Sequence, residues 1–171
     1  MLKKFEKIDV KEIKDNPVKL IGYDSFLLTA GNLKKYNTMT AAWGSIGYLW
    51  NKPVVFCFIR PTRFTYSFFE KNDFFSLCFF DKENKQILDY CGTYSGRDVD
   101  KEKNTGLIAL EGEHNTVVFQ QSRLIIECRK IYFDDIKPEN FLLPSIDKHY
   151  NKDYHRMYIG EIFNCLKRSD E

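Results

Sequence analysis

Two uninterrupted apolar runs constrain the fold most. Pro53-Val54-Val55-Phe56-Cys57-Phe58-Ile59 and Phe74-Phe75-Ser76-Leu77-Cys78-Phe79-Phe80 are each about one strand long and do not alternate polar with apolar residues. Each therefore reads as a strand buried on both faces. Between them, Thr62 reads as an N-cap and the pattern to about Asn72 as a helix. Further strands are expected at 18–23, 26–30, 38–43, 116–120, 124–133 and 157–164. Helical segments are expected at 9–16, between the cap Asp9 and Pro17, at 85–94, and as a turn at 137–143. Loops are expected after Lys101, with Gly96 as a left-handed cap and Asp134-Asp135 as turn formers. Regular strand–helix alternation is absent, as are Gly-x-Gly-x-x-Gly and Walker patterns, which argues against a parallel nucleotide-binding sheet. Short strands with occasional helical excursions point to a mainly β fold with short helices, closed or partly closed into a barrel.

A chain of 171 residues without a linker or repeat suits one domain over 1–171. The net charge of +2 argues against a nucleic-acid partner, which would require a strong basic excess. No apolar run approaches the roughly 20 residues of a membrane helix. The charged start, Met1-Leu2-Lys3-Lys4-Phe5-Glu6-Lys7, lacks an apolar signal region, so a cytoplasmic location is expected. Cys57, Cys78, Cys91, Cys128 and Cys165 form no Cys-x-x-Cys pair. With His114, His149 and His155 unsuitably spaced, no metal or redox dithiol site is expected.

Three polar clusters interrupt the apolar segments. In the first, Asn37-Thr38-Met39-Thr40-Ala41-Ala42-Trp43-Gly44, strand periodicity puts Thr38, Thr40 and Ala42 on one face and Met39, Ala41 and Trp43 on the other. Small Ala41 and Ala42 let a planar ring approach the backbone, whose alternating donors and acceptors suit the pyrimidine edge of a flavin, with Trp43 stacking beside it. The same pattern also fits a surface strand of threonines with one core tryptophan. The second cluster, Arg60-Pro61-Thr62-Arg63-Phe64-Thr65, joins a buried strand to a helix start. Unpaired N–H groups, the dipole end, Arg60 or Arg63, and the hydroxyls of Thr62 and Thr65 together suit one phosphate; plain capping by Thr62 also explains it. The third, Ser95-Gly96-Arg97-Asp98-Val99-Asp100-Lys101, reads as a solvated loop unless the fold returns it to the others. An aromatic fraction of 16% fits both a β-rich core and a planar ligand pocket. No nucleophile with a paired base is apparent.

With His155-Arg156-Met157-Tyr158-Ile159-Gly160-Glu161-Ile162 closing the series in order, the chain resembles the flavin reductase-like family of FMN-binding split-barrel proteins, flavoredoxin type. It departs at Asp153-Tyr154, where members often carry Gly-Asp. The resemblance implies a six-stranded Greek-key split barrel and a homodimer with FMN near the subunit interface. It implies that Asn37, Thr38, Met39 and Thr40 line the isoalloxazine and that Trp43 packs beside it. Arg60, Thr62 and Thr65 would lie at the phosphate, Ser95 and Lys101 would contact the cofactor, and His155 would sit on its redox-active side.

The expected activity is then NAD(P)H-dependent flavin reduction, with NADH or NADPH as donor and a redox partner protein or free flavin as acceptor. The alternatives are an FMN electron carrier without its own reductase activity and, from another class, a non-enzymatic ligand-binding β-barrel.

Overall fold

The computed structural model describes residue 2 and residues 4–169. In chain order the elements are β1 (Phe5–Lys7), β2 (Phe26–Asn32), β3 (Lys35–Ala41), β4 (Gly44–Leu49), β5 (Lys52–Ile59), α1 (Phe64–Lys71), β6 (Phe74–Phe79), α2 (Lys85–Thr93), α3 (Lys101–Thr105), β7 (Ala109–Glu111), β8 (Val117–Phe119), β9 (Leu124–Asp135) and β10 (Arg156–Arg168). The main sheet runs β3-β2-β6-β9-β10-β5-β4, with β1 on β10 and β7-β8 as a separate hairpin. Its pairs are antiparallel. Six of the eight strands expected from the sequence are contiguous in this order, 116–120 falls in the separate hairpin, and β4 extends the path beyond β5. The two ends, β3 and β4, are consecutive in sequence and joined only by Ala42 and Trp43. The sheet thus curls until its ends meet without pairing, which makes a mainly β split barrel.

The apolar runs follow from two cores. Leu28, Val55, Ile59, Phe69, Phe75, Leu77 and Tyr158 fill the barrel. Leu27, Cys78, Ile125, Leu166, Ile87, Leu88 and Phe119 form a second cluster under α2 and the β7-β8 hairpin. Adjacent residues on β2 and β6 therefore each meet apolar partners, and alternation disappears. Each fully buried large side chain contributes roughly 1.5–3 kcal/mol. The β4–β5 hairpin turns at Trp50 (φ 52°) and Asn51 (φ 58°), the paired positive φ of a two-residue hairpin turn.

Several expectations are corrected. Residues 18–23 are not a strand: Lys19–Tyr23 form a π-helical turn, held by Leu20 N–H on Asn16 O and by the Lys19–Asp24 ion pair. The segment at 9–16 shrinks to a 3₁₀ turn, Val10–Glu12, though Asp9 does cap it and Glu12 closes the capping box. Thr62 is not the cap of α1; Arg63 occupies that position. Gly96 is not a left-handed cap; Gly106 is, at φ 72° after α3, itself a helix where loops were expected. Asp134 and Asp135 end β9 instead of forming a turn, because the Arg156 guanidinium on β10 grips Asp135. β1, β4 and β7 were not anticipated. All five cysteines are buried and free. No helix among the described residues is long and apolar enough to cross a membrane.

Candidate functional site

The seam between β3 and β4 opens beside the ends of β5 and β10. Because Arg156 pairs with Ile59, the chain leaves β5 at Arg60 and enters β10 from His155 side by side. Gly44 pairs with Cys57, which brings Trp43 to the same place. The result is a cleft of about 300 Å³ whose walls include Thr40, Ala42, Trp43, Arg60, Arg63 and His155.

One end of this cleft is cationic. Arg63 caps α1 through backbone geometry alone, with no side-chain bond to the first-turn amides. The Tyr66 N–H is taken by Arg63 O at 3.0 Å, which leaves the Phe64 and Thr65 N–H groups and the positive helix end for an anion. Arg63 donates weakly to Gly92 O at 3.4 Å, and Arg60 donates to His149 O at 2.9 Å while its guanidinium lies 5.5 Å from the Tyr150 ring centroid. The other end is aromatic. Trp43 is 45% exposed, and its ring centroid lies 4.9 Å from that of His155 and 6.1 Å from that of His149. Trp43 is therefore not the core tryptophan that the alternative reading of its strand would require. His155 is only 8% exposed. Its pKa falls to about 4, through burial first and the Arg60 charge second, so the imidazole is neutral near pH 7.

The residues singled out from the sequence divide between two places. Met39, Thr40, Trp43, Arg60 and His155 line this cleft. Asn37, Thr38 and Lys101 line a smaller one of about 180 Å³ on the free edge of β3. There Lys101, buried, donates to Thr38 O and Cys91 O at 2.8 Å each and ties α3 and α2 to the strand. Burial lowers its pKa. The Thr38 hydroxyl accepts from Thr29 at 2.8 Å, and Thr40 donates to Leu88 O at 2.5 Å. Thr65 is buried at the start of α1 and accepts from Asn37 Nδ2 at 2.7 Å. Gly96 comes back against this pair: a Cβ there would lie 2.0 Å from Asn37 Oδ1. The loop thus does return to the strand.

Thr62, Thr65 and Ser95 border neither cleft, Thr65 because it is buried against Asn37. Thr62 donates to Asp153 Oδ2 at 2.7 Å, which ties the approach to β10 onto the turn after β5; the Ser95 hydroxyl accepts from Arg97 N–H at 3.2 Å and shapes its own loop. Sequence reading missed Phe58, a cleft wall, and Tyr150, whose hydroxyl lies 3.2 Å from His155 Nδ1. Phe58 looks like any residue of an apolar strand. Tyr150 lies in a polar stretch with no local sign of its partner.

The chemistry of the donor set fits a planar ligand carrying one anionic group: cations and free amides at one end, small residues and an aromatic ring at the other. Comparisons with known proteins identify the family and the fold. The family model described as "Flavin reductase like domain" matches residues 20–171. A search of curated protein sequences gives no match. Flavoredoxin of Desulfovibrio vulgaris (Miyazaki F) is 23% identical, with a TM-score of 0.67 over 95% of this chain and 78% of that one. The FMN-binding protein from Thermus thermophilus, solved with bound 1-cyclohex-2-enone, is 17% identical, with a TM-score of 0.67 over 95% and 77%. The NADH:FAD oxidoreductase SgcE6 of Streptomyces globisporus C-1027 is 14% identical, with a TM-score of 0.64 over 95% and 87%.

Proposed function

The chain belongs to the flavin reductase-like family, and from that premise we propose that it is an FMN flavoprotein that takes electrons from NADH or NADPH and passes them to an acceptor. One observation carries the reading: a single cleft joins a helix start without a side-chain cap, flanked by Arg60 and Arg63, to a ledge of small residues ending in Trp43. Arg60, Arg63 and the first-turn amides of α1 would hold the phosphate. The backbone of Thr40, Ala41 and Ala42 would meet the pyrimidine edge of the ring, with Trp43 packing beside it. His155 would face the donor side as a neutral imidazole. When bound, FMN supplies the two-electron redox chemistry, which none of these side chains can supply. The protein's part is to orient the ring, neutralise the phosphate and limit water.

A second reading is favoured by the rings of His149, Tyr150 and His155 around Trp43, which narrow the space a nicotinamide needs over the cleft. It is an FMN electron carrier with little reductase activity of its own. We also read residues 1–171 as one domain that works as a homodimer. Trp43 (45%), Tyr48 (72%) and Trp50 (56%) leave aromatic surface exposed that a second copy would cover, burying more than about 2,000 Å² in total.

The test is direct. Purified protein should be yellow, or become so with FMN, and mass spectrometry of the heat-released chromophore should find FMN in preference to FAD. Anaerobic NADH or NADPH should bleach it within seconds. A chromophore reduced by dithionite but by neither donor replaces the reductase with the carrier, and a protein that retains no flavin overturns both. Light scattering should give a dimer; a monomer with FMN bound contradicts the assembly.

A further inference from the structure

Beyond its ring beside Trp43, Tyr150 has no role in the readings given so far, yet it is held firmly. It follows the 3₁₀ helix Pro144–His149, its N–H bonds Asp147 O at 2.9 Å, and its ring stacks on Phe141 at 6.0 Å and 19°. Tyr154 packs at 5.0 Å. Its hydroxyl approaches His155 Nδ1 at 3.2 Å. The imidazole is itself clamped between Trp43 at 4.9 Å and Phe58 at 6.4 Å, centroid to centroid, so its two nitrogens are not equivalent. Nδ1 faces Tyr150. Among the described residues Nε2 meets no hydrogen-bond partner, and it is not among the buried unsatisfied atoms, so it is open to the cleft.

The charged and titratable groups around this ring are Arg60, Arg63, Asp153 and Tyr150. Burial and the two guanidinium groups outweigh Asp153, which also accepts from Thr62. The ring is therefore neutral and carries one proton. A phenol is a good donor and a poor acceptor, because its lone pair is delocalised, whereas an unprotonated imidazole nitrogen is a strong acceptor. The bond thus runs from Tyr150 O–H to Nδ1, and the ring proton sits on Nε2.

We propose that Tyr150 is a positioning residue that fixes His155 as the Nε2–H tautomer, so that the imidazole offers the cleft a hydrogen-bond donor for an amide-type carbonyl oxygen of the bound ligand. The identity of that ligand rests on the FMN and nicotinamide reading; the tautomer does not. The carbonyl belongs either to the flavin or to the carboxamide of the donor.

The first measurement is the nitrogen-15 NMR spectrum of the imidazole, on the protein as purified and with added FMN, from about pH 5 to pH 8. His155→Gln assigns the signals. Wild type should have a protonated Nε2 and an unprotonated Nδ1. In Tyr150→Phe the tautomers should mix and the pKa of His155 should rise, because a donor to Nδ1 favours only the neutral ring. A tyrosine that accepted from Nδ1–H would instead stabilise the cation, and its loss would lower the pKa. Wild-type Nδ1–H, or a pKa in Tyr150→Phe that falls or does not move, overturns the proposal. The wild-type spectrum decides the tautomer even if the variant folds poorly, and it does so whether or not the protein holds flavin. The second measurement locates the carbonyl: Tyr150→Phe should weaken either FMN binding or nicotinamide KM about fivefold, the loss of one neutral hydrogen bond. The first result assigns the acceptor to the flavin and the second to the donor; no change in either overturns the role toward the ligand.

Discussion

Asn37 donates from Nδ2 to Thr65 Oγ1 at 2.7 Å, and Gly96 lies against the same amide so closely that a Cβ would come within 2.0 Å of Oδ1. One buried side chain thus joins the three polar clusters that lie apart in the sequence. The strand end, the helix start and the returning loop are positioned by a shared contact.

Thr65→Val should therefore act on stability. It keeps the shape but leaves the buried Asn37 amide without its acceptor, at about 1–3 kcal/mol. Thr65→Ser should recover most of that. Urea denaturation of the three proteins checks it; equal midpoints would mean that the bond contributes nothing.

Arg60 and Arg63 should matter for the phosphate and not for the ring. Arg63→Ala should weaken FMN binding roughly ten- to a hundredfold, the range for a hydrogen bond to a charged group, while riboflavin affinity stays near wild type. Arg60→Ala should do the same and also release His149, whose carbonyl it holds. Calorimetric titration with both flavins separates the contributions; parallel losses for riboflavin would move the phosphate elsewhere.

Stability should fall as acid charges His155. Its folded pKa is about 4, below the 6.5 of an unperturbed histidine, so the unfolded chain binds more protons between those values. The stabilisation is full above pH 6.5 and is lost as pH falls towards about 4, by up to roughly 3 kcal/mol. Arg60 and Arg63 reinforce the effect and Asp153 opposes it. His155→Gln should remove this part of the slope when unfolding free energies are compared across the window. An unchanged slope would show the ring to be readily protonated in the folded state.

Glu127 should behave oppositely. It is fully buried, takes Asn164 Nδ2 at 2.6 Å and contacts the Thr116 hydroxyl, and burial raises its pKa. A raised carboxyl pKa means stability that is present at low pH and lost as pH rises through the folded value. Glu127→Gln should remove this fall in stability, so that its advantage over wild type grows as pH rises above the ordinary glutamate range. A variant less stable at the higher pH would show that the carboxylate is favoured there.

Legibility followed range. The strands at 53–59 and 74–80 were readable because each run is almost wholly apolar; β6 is buried on both faces, as expected, whereas β5 is not, its Phe56 and Phe58 being only half-buried. The helix at 85–94 was readable from local periodicity. β4 was not: Gly44-Ser45-Ile46-Gly47-Tyr48-Leu49 carries two glycines and exposed positions, because a terminal strand packs on one side only. Residues 18–23 mislead because an apolar pair, Leu20 and Ile21, is buried from a helical turn as well as it would be from a strand. At the candidate site, the proximity of Arg60 and His155 depends on the β5–β10 register, which no local pattern encodes. The contact of Lys101 with Thr38 O depends on α3, a helix of five residues, too short to announce itself.

The barrel's break has a consequence for how the site can change. Where β3 passes to β4 through Ala42 and Trp43, the main chain on that side is not committed to a ladder. A ring lodged there would be read by peptide groups, which every amino acid carries alike. Side chains along the seam are then free to drift without erasing the recognition, and what selection must preserve is the opening itself.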